Sequence, residues 1–276
     1  MTTLNDLHSI SSTFSNTDKM PVLFLGHGSP MNAIEENQFV AGFRDLAKTL
    51  PQPNAILCIS AHWFTNGTKV TSMQMPRTIH DFGGFPQALF DVQYPAKGSP
   101  ELAFETKKIL EPIAVDLDEH WGLDHGAWSV IKHLYPEANV PVIQLSIDYT
   151  KSGQYHFELA QKLQSLRRKG VLIIGSGNIV HNLRLVDFRN FDKDNYGYDW
   201  AIEARETINN YLLDGNFQPL IDFERMNKAI QLAIPTPDHY LPLLYTLGLK
   251  ESSEELTLFN DKLLAGSLSM TSVKIM

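Results

Sequence analysis

Four short apolar runs constrain this chain more than any other feature. They cover residues 22–25, 55–59, 140–145 and 171–174, are rich in Val, Ile and Leu, and are bounded by Gly, Pro, Ser or Asn. Continuous apolar runs of this length are the pattern of strands buried on both faces, as in a parallel sheet. Helical periodicity fills the intervals. Residues 38–50 carry Phe39, Phe43, Leu46 and Leu50 on one face. Ser99 is placed to cap a helix that starts at Pro100 and runs to Leu110. Residues 152–169 carry Tyr155, Leu159, Leu163 and Leu166, and end on Arg167, Arg168 and Lys169 before Gly170. Residues 195–213 repeat the pattern with Ala201, Ala204, Ile208 and Tyr211. Residues 254–259 and 270–275 read as late strands. Strand–helix alternation of this kind predicts a single-domain α/β sandwich, with a mostly parallel or mixed central sheet flanked by helices. It does not give the strand order.

No internal repeat or low-complexity linker divides the chain. Residues 1–19 are polar and rich in Ser, Thr and Asn, without the apolar core of a signal peptide. They are predicted to be a flexible tail ahead of a domain spanning 20–276, and Met20 is a second candidate start. A net charge of -8 argues against a nucleic-acid partner and against anionic membranes. No apolar run approaches the roughly 18 residues needed to span a bilayer. The single cysteine, Cys58, allows no intrachain disulfide and fits a reducing cytoplasm. It falls inside a strand, where it is expected to be buried and inert.

In open α/β sheets, ligands bind beyond the carboxyl ends of the strands. Three histidines follow three of the runs. They are His27 in Gly26-His27-Gly28-Ser29-Pro30, His62 in Ser60-Ala61-His62-Trp63, and His181 after Gly175-Ser176-Gly177-Asn178. If the strands are neighbours, these side chains share one crevice. His239, in Thr236-Pro237-Asp238-His239-Tyr240, is placed in a first helical turn if Thr236 caps and Pro237 opens that helix. Imidazole is the commonest zinc ligand and suits iron as well. A lone histidine at a strand end is more often a hydrogen-bonded structural residue, but several flanked by glycine favour a metal site. The rival reading of the glycines as a phosphate loop is weak, because the third glycine of a dinucleotide fingerprint is missing.

His125, in Leu123-Asp124-His125-Gly126-Ala127-Trp128, lies beside an acid just before a helix, and is a candidate general acid/base. A locally hydrogen-bonded helix-start residue is the equal alternative. Asp124 is the carboxylate available to orient it. His80 precedes Asp81-Phe82-Gly83-Gly84-Phe85-Pro86, a stretch that suits either a mobile substrate-covering loop or a plain surface loop. His8 in the tail, His133 near a helix end and His156 on a solvated helix face are given no role.

Taken together with Gln144-Leu145-Ser146-Ile147-Asp148, these ordered segments resemble the 4,5-DOPA dioxygenase extradiol family, within the class III extradiol ring-cleavage dioxygenases. The resemblance runs from about Pro21 to the C-terminus. It implies that residues 20–276 form the catalytic domain and that His27 and His62 are metal ligands. His181 matches a further metal-site histidine that completes the shell or lies at its edge, and His239 matches the last ligand, a carboxylate in protocatechuate-type relatives. It also implies that His125 is the acid/base, with His80 and Ser29 as substrate contacts. The implied cofactor is one divalent metal, Fe(II) for activity and Zn(II) as an alternative occupant. The implied substrates are a catechol such as L-DOPA, cleaved at the 4,5-bond, and dioxygen. Two rivals stand beside this expectation: a zinc hydrolase using the same histidines to activate water, and a non-catalytic metal-binding protein on the same fold.

Overall fold

A computed structural model of the protein describes residues 17–191 and 193–276. The predicted tail therefore lies outside the described residues for positions 1–16, His8 among them. Its last residues, Thr17 to Lys19, lie against the domain, with the Thr17 N–H donating to the Arg168 carbonyl at 2.7 Å.

All four apolar runs are strands of one six-stranded sheet: β1 (Val22–Gly26), β2 (Ala55–Ser60), β3 (Val142–Gln144) and β4 (Val171–Gly177). The two late runs are also strands, β5 (Leu256–Phe259) and β6 (Ser272–Ile275). The order across the sheet is β3-β2-β4-β1-β6-β5. The first four are mutually parallel, while β6 runs antiparallel to both β1 and β5, so the sheet is mixed.

Every residue of β1, β2 and β4 is buried, and their two faces feed two separate cores. Val22, Phe24, Leu57 and Ile59 point to one side, where they meet helices α2 (Pro100–Leu110), α4 (Gly153–Lys162), α5 (Asp199–Leu213) and α6 (Leu241–Gly248). Leu23, Leu25, Ile56 and Cys58 point to the other, against α1 (Gln38–Ala47) and α3 (His125–Leu134). This alternation is the period-two geometry of a strand, and it explains why the runs are apolar without interruption. Cys58 is fully buried, and burial first, then the Asp124 charge, pushes its thiol pKa up.

Local physics fixes the helix ends. Ser99 Oγ accepts from Leu102 N–H at 3.2 Å with Pro100 at the first position, as predicted. Residues 152–169 do not form one helix. The chain breaks at Leu163 between α4 and a short turn, Gln164–Arg167. That break turns Arg167 inward, where its guanidinium is fully buried against Glu254 and the carbonyls of Met20 and Leu249. His156 is also fully buried rather than on a solvated face. Its Nδ1 lies 2.9 Å from the Tyr245 hydroxyl. No helix among the described residues is long and apolar enough to cross a membrane.

Candidate metal centre

Strands β2, β4 and β1 lie side by side and parallel, so their carboxyl ends open at one edge. His27 directly follows β1, and His62 comes two residues after β2. His181 comes four residues after β4 and is held by its N–H, which donates to the Ala233 carbonyl at 2.8 Å. His239 reaches the same edge from the far side. It sits in the turn leading into α6, not in a first helical turn capped by Thr236, because the helix starts only at Leu241. Its carbonyl accepts from Asn178 N–H at 2.9 Å. That approach needs Gly177, where a Cβ would come within 2.1 Å of the same carbonyl oxygen. His125 is the first residue of α3, with Asp124 as the cap whose Oδ1 accepts from Ala127 N–H.

Five imidazoles consequently meet. The ring centroids of His27, His62 and His239 form a nearly equilateral triangle with sides of 5.1, 5.1 and 5.2 Å. His125 flanks His62 at 3.9 Å, and His181 stacks on His239 at 3.5 Å.

Hydrogen-bond partners assign the tautomers of His27 and His239, and an ion-pair contact points to that of His62. Ser176 Oγ gives its one hydrogen to the Gly126 carbonyl, so it accepts from His27 Nδ1–H at 3.0 Å. His239 Nδ1 is engaged by the Asp238 carboxylate. His62 Nδ1 lies 3.2 Å from Asp81 Oδ2. Nε2 is then the nitrogen that each of these three rings can offer to a metal. A carboxylate or hydroxyl on the remote nitrogen is what orients a metal-binding imidazole.

Two three-histidine sets can be drawn. Donor nitrogens of His27, His62 and His125 all lie within 4.8 Å of one another. The set with His239 has evenly spaced rings and an Nδ1 engaged by Asp238. His125 Nδ1 lies 3.0 Å from Asp81 Oδ1 but out of line for a hydrogen bond. The residues fit a metal. His27 Nε2 and His62 Nε2 face each other at 3.2 Å. Two nitrogens each about 2.1 Å from a shared ion would stand roughly 3.0–3.4 Å apart.

Electrostatics agree with that fit. Burial first, then the neighbouring imidazoles, hold His27 well below the usual histidine pKa. Burial likewise lowers His239 and His125 against the pull of their carboxylates. Burial and His239 take His181 down to about 2. Neutral rings have the lone pairs that a cation needs. His62 moves the other way. Burial lowers it, but Asp81, Asp124 and Asp238 outweigh that and raise it.

Comparison with known proteins agrees with this geometry. Residues 21–267 match the family model described as the catalytic LigB subunit of aromatic ring-opening dioxygenase. The chain belongs to the LigB dioxygenase family. It is 47% identical to a 4,5-DOPA dioxygenase extradiol of Escherichia coli K12, over 96% of this chain and 98% of that one. It is 34% identical to a 4,5-DOPA dioxygenase extradiol of Beta vulgaris, over 91% and 94% of the two chains. A crystal structure of an uncharacterized Escherichia coli K12 protein superposes with a TM-score of 0.81 at 43% identity, covering 94% of this chain and all of that one. The protein is therefore a LigB-type extradiol ring-cleavage enzyme, a reading favoured over the hydrolase and non-catalytic alternatives.

In this LigB chain, the other sequence candidates have contacts of their own. His80 packs among Phe82, Phe90 and Trp128, and its Nε2 lies 2.9 Å from the Val92 carbonyl oxygen. Ser29 Oγ accepts from Met31 N–H and lines a cavity of about 200 Å³ with Asn32, Glu35, Lys193 and Asp194. Asp124 does not orient His125. Its carboxylate is taken by Ser60, Trp121, Gln144 and the α3 cap. The carboxylates that do face the rings, Asp81 and Asp238, were not singled out from sequence. Each is adjacent to a histidine, which is the one signal that could have found them.

Proposed function

We propose that the protein is a non-haem Fe(II) extradiol dioxygenase. It opens the ring of catechols such as L-DOPA at the 4,5-bond, using both atoms of dioxygen. The near-equilateral triangle of His27, His62 and His239, with the remote nitrogens of these rings facing Ser176, Asp81 and Asp238, is the observation that carries this reading. The names of the curated relatives support the substrate class.

In this reading three imidazoles hold the metal on one side and leave the other open. His181 completes that shell or lies at its edge. When bound, Fe(II) supplies the redox chemistry that dioxygen requires and that Zn(II), which can fill the same shell, lacks. His125 takes a catechol proton so that the diol can bind as an anion, and returns it later. Ser29 and His80 are the proposed substrate contacts: Ser29 two residues beyond His27, His80 next to the aspartate that faces His62. Buried Cys58, the only thiol, supports a reducing cytoplasm.

The test is anaerobic loading of metal-free protein with Fe(II) or Zn(II), then oxygen uptake with L-DOPA and a panel of catechols. Uptake and a coloured ring-opened product are expected with Fe(II) alone. Equal uptake by iron-free zinc protein would overturn the proposal.

A further inference from the structure

Asp81 sits on the loop between Ile79, whose N–H donates to the Leu123 carbonyl at 2.7 Å, and the exposed pair Gly83-Gly84. The carboxylate meets two elements at once. Oδ1 accepts from the His125 backbone N–H at 2.9 Å, at the start of α3, and Oδ2 lies 3.2 Å from His62 Nδ1. The next residue, Phe82, sets its ring edge-on to His125 at 5.5 Å and packs on Phe85 and Phe90. No other carboxylate among the described residues is recorded within ion-pair distance of His62 or His125.

We propose that Asp81 is a positioning residue. One carboxylate fixes the His62 tautomer for metal binding and clamps its own loop to the helix that presents His125. This rests on the reading of the histidine cluster as a metal centre.

The claim depends on acceptor count. A carboxylate accepts at both oxygens, whereas an amide accepts at one and donates at the other. Asp81→Asn cannot serve both partners. If its oxygen keeps the His125 N–H, its NH₂ faces His62 Nδ1. The proton of His62 then moves to Nε2, the nitrogen that the metal needs. If the amide turns over, its NH₂ faces the α3 N–H, two donors together. Asp81→Glu keeps both acceptors on a longer stem.

The experiment is competition of Zn(II) between metal-free protein and a chromophoric chelator, with the melting temperature of the same metal-free samples. The wild type, Asp81→Asn, Asp81→Ala and Asp81→Glu are compared. Asp81→Asn and Asp81→Ala are expected to bind zinc roughly 10–100-fold more weakly, the usual cost of losing a carboxylate behind a ligating histidine. Their metal-free melting temperatures should stay within a few degrees of wild type, and Asp81→Glu should recover most of the affinity. Wild-type affinity in Asp81→Asn, or no recovery in a folded Asp81→Glu, would overturn the inference. So would weakened binding matched by an equal collapse of the metal-free fold. A wild-type protein that binds no zinc would instead sink the metal-centre reading.

Discussion

Around the five rings, single atoms decide what fits. A Cβ on Gly126 would stand 2.4 Å from Ser60 Oγ and 2.7 Å from His62 Cδ2. Gly126→Ala should therefore displace His62 before it disturbs the core. Forcing a methyl group into packed surroundings costs about 1–3 kcal/mol. The expected result is a modest fall in melting temperature with a disproportionate loss of bound metal, read by calorimetry and metal analysis on one sample. Unchanged metal content would show that the ring has room to move. His125 makes a different prediction, because the proposed function makes it the acid/base rather than a ligand. His125→Gln is expected to keep its metal and its stability while turnover falls roughly 10²–10⁴-fold, the usual share of acid–base catalysis. The defect should shrink at high pH, where catechol arrives already ionised. Steady-state rates against pH, with metal content measured alongside, separate this outcome from loss of a ligand.

The elements show how far the sequence could be read. The strand runs were legible because burial on both faces leaves an unbroken apolar signature, and α2 because Ser99 and Pro100 mark its start. His27, His62 and His181 were legible as candidates because each follows a strand, His125 because it opens a helix, and His239 because a Thr-Pro pair just ahead of it suggested one, although it lies in the turn before α6. Less visible were contacts between segments distant in sequence. His156 looked solvated because its partner, Tyr245, is 89 residues away. Asp81 looked like part of a surface loop because its partners lie just past β2 and at the start of α3. The break at Leu163 was hidden by periodicity that continues through it, and its purpose appears only in the Arg167–Glu254 pair. Burial alone would raise the Glu254 pKa. Arg167, the Glu251 N–H and Lys19 overcome that and bring it down to about 2. A carboxyl depressed in the folded state stabilises the fold above its unfolded pKa, and loses that contribution as pH falls through the folded value. The window is therefore roughly pH 4.5 to 2. Glu254→Ala should cost about 3 kcal/mol at neutral pH, since it leaves a buried guanidinium without its charge partner. Its stability should also vary less across that window, and urea melts at several pH values would show whether it does.

At the scale of the whole molecule, the metal and the fold are linked by mass action. The proposed shell draws on residues just past β1 and β2 and on the turn before α6, so an ion bound there would hold distant parts of the chain together. At a free metal concentration 100 times the Kd, binding to the folded state alone adds about 2.7 kcal/mol. For a chain of this size that corresponds to roughly 5–10 °C in melting temperature. Zn(II) should produce such a rise in the wild type and none in a His27→Ala, His62→Ala double variant, as scanning calorimetry would record. The sheet order adds a consequence in time. The last strand, β6, lies between β1 and β5 and pairs with the first strand of the domain, Val22 opposite Ile275. While the chain is being synthesised, β1 therefore waits with one edge open until nearly every other residue has been made. His27 follows that unfinished strand, and His239, whose ring lies 5.2 Å from it, emerges 212 residues later. The cluster can therefore close only after residue 239 has been made, and a metal bound there must reach a domain whose sheet is completed late.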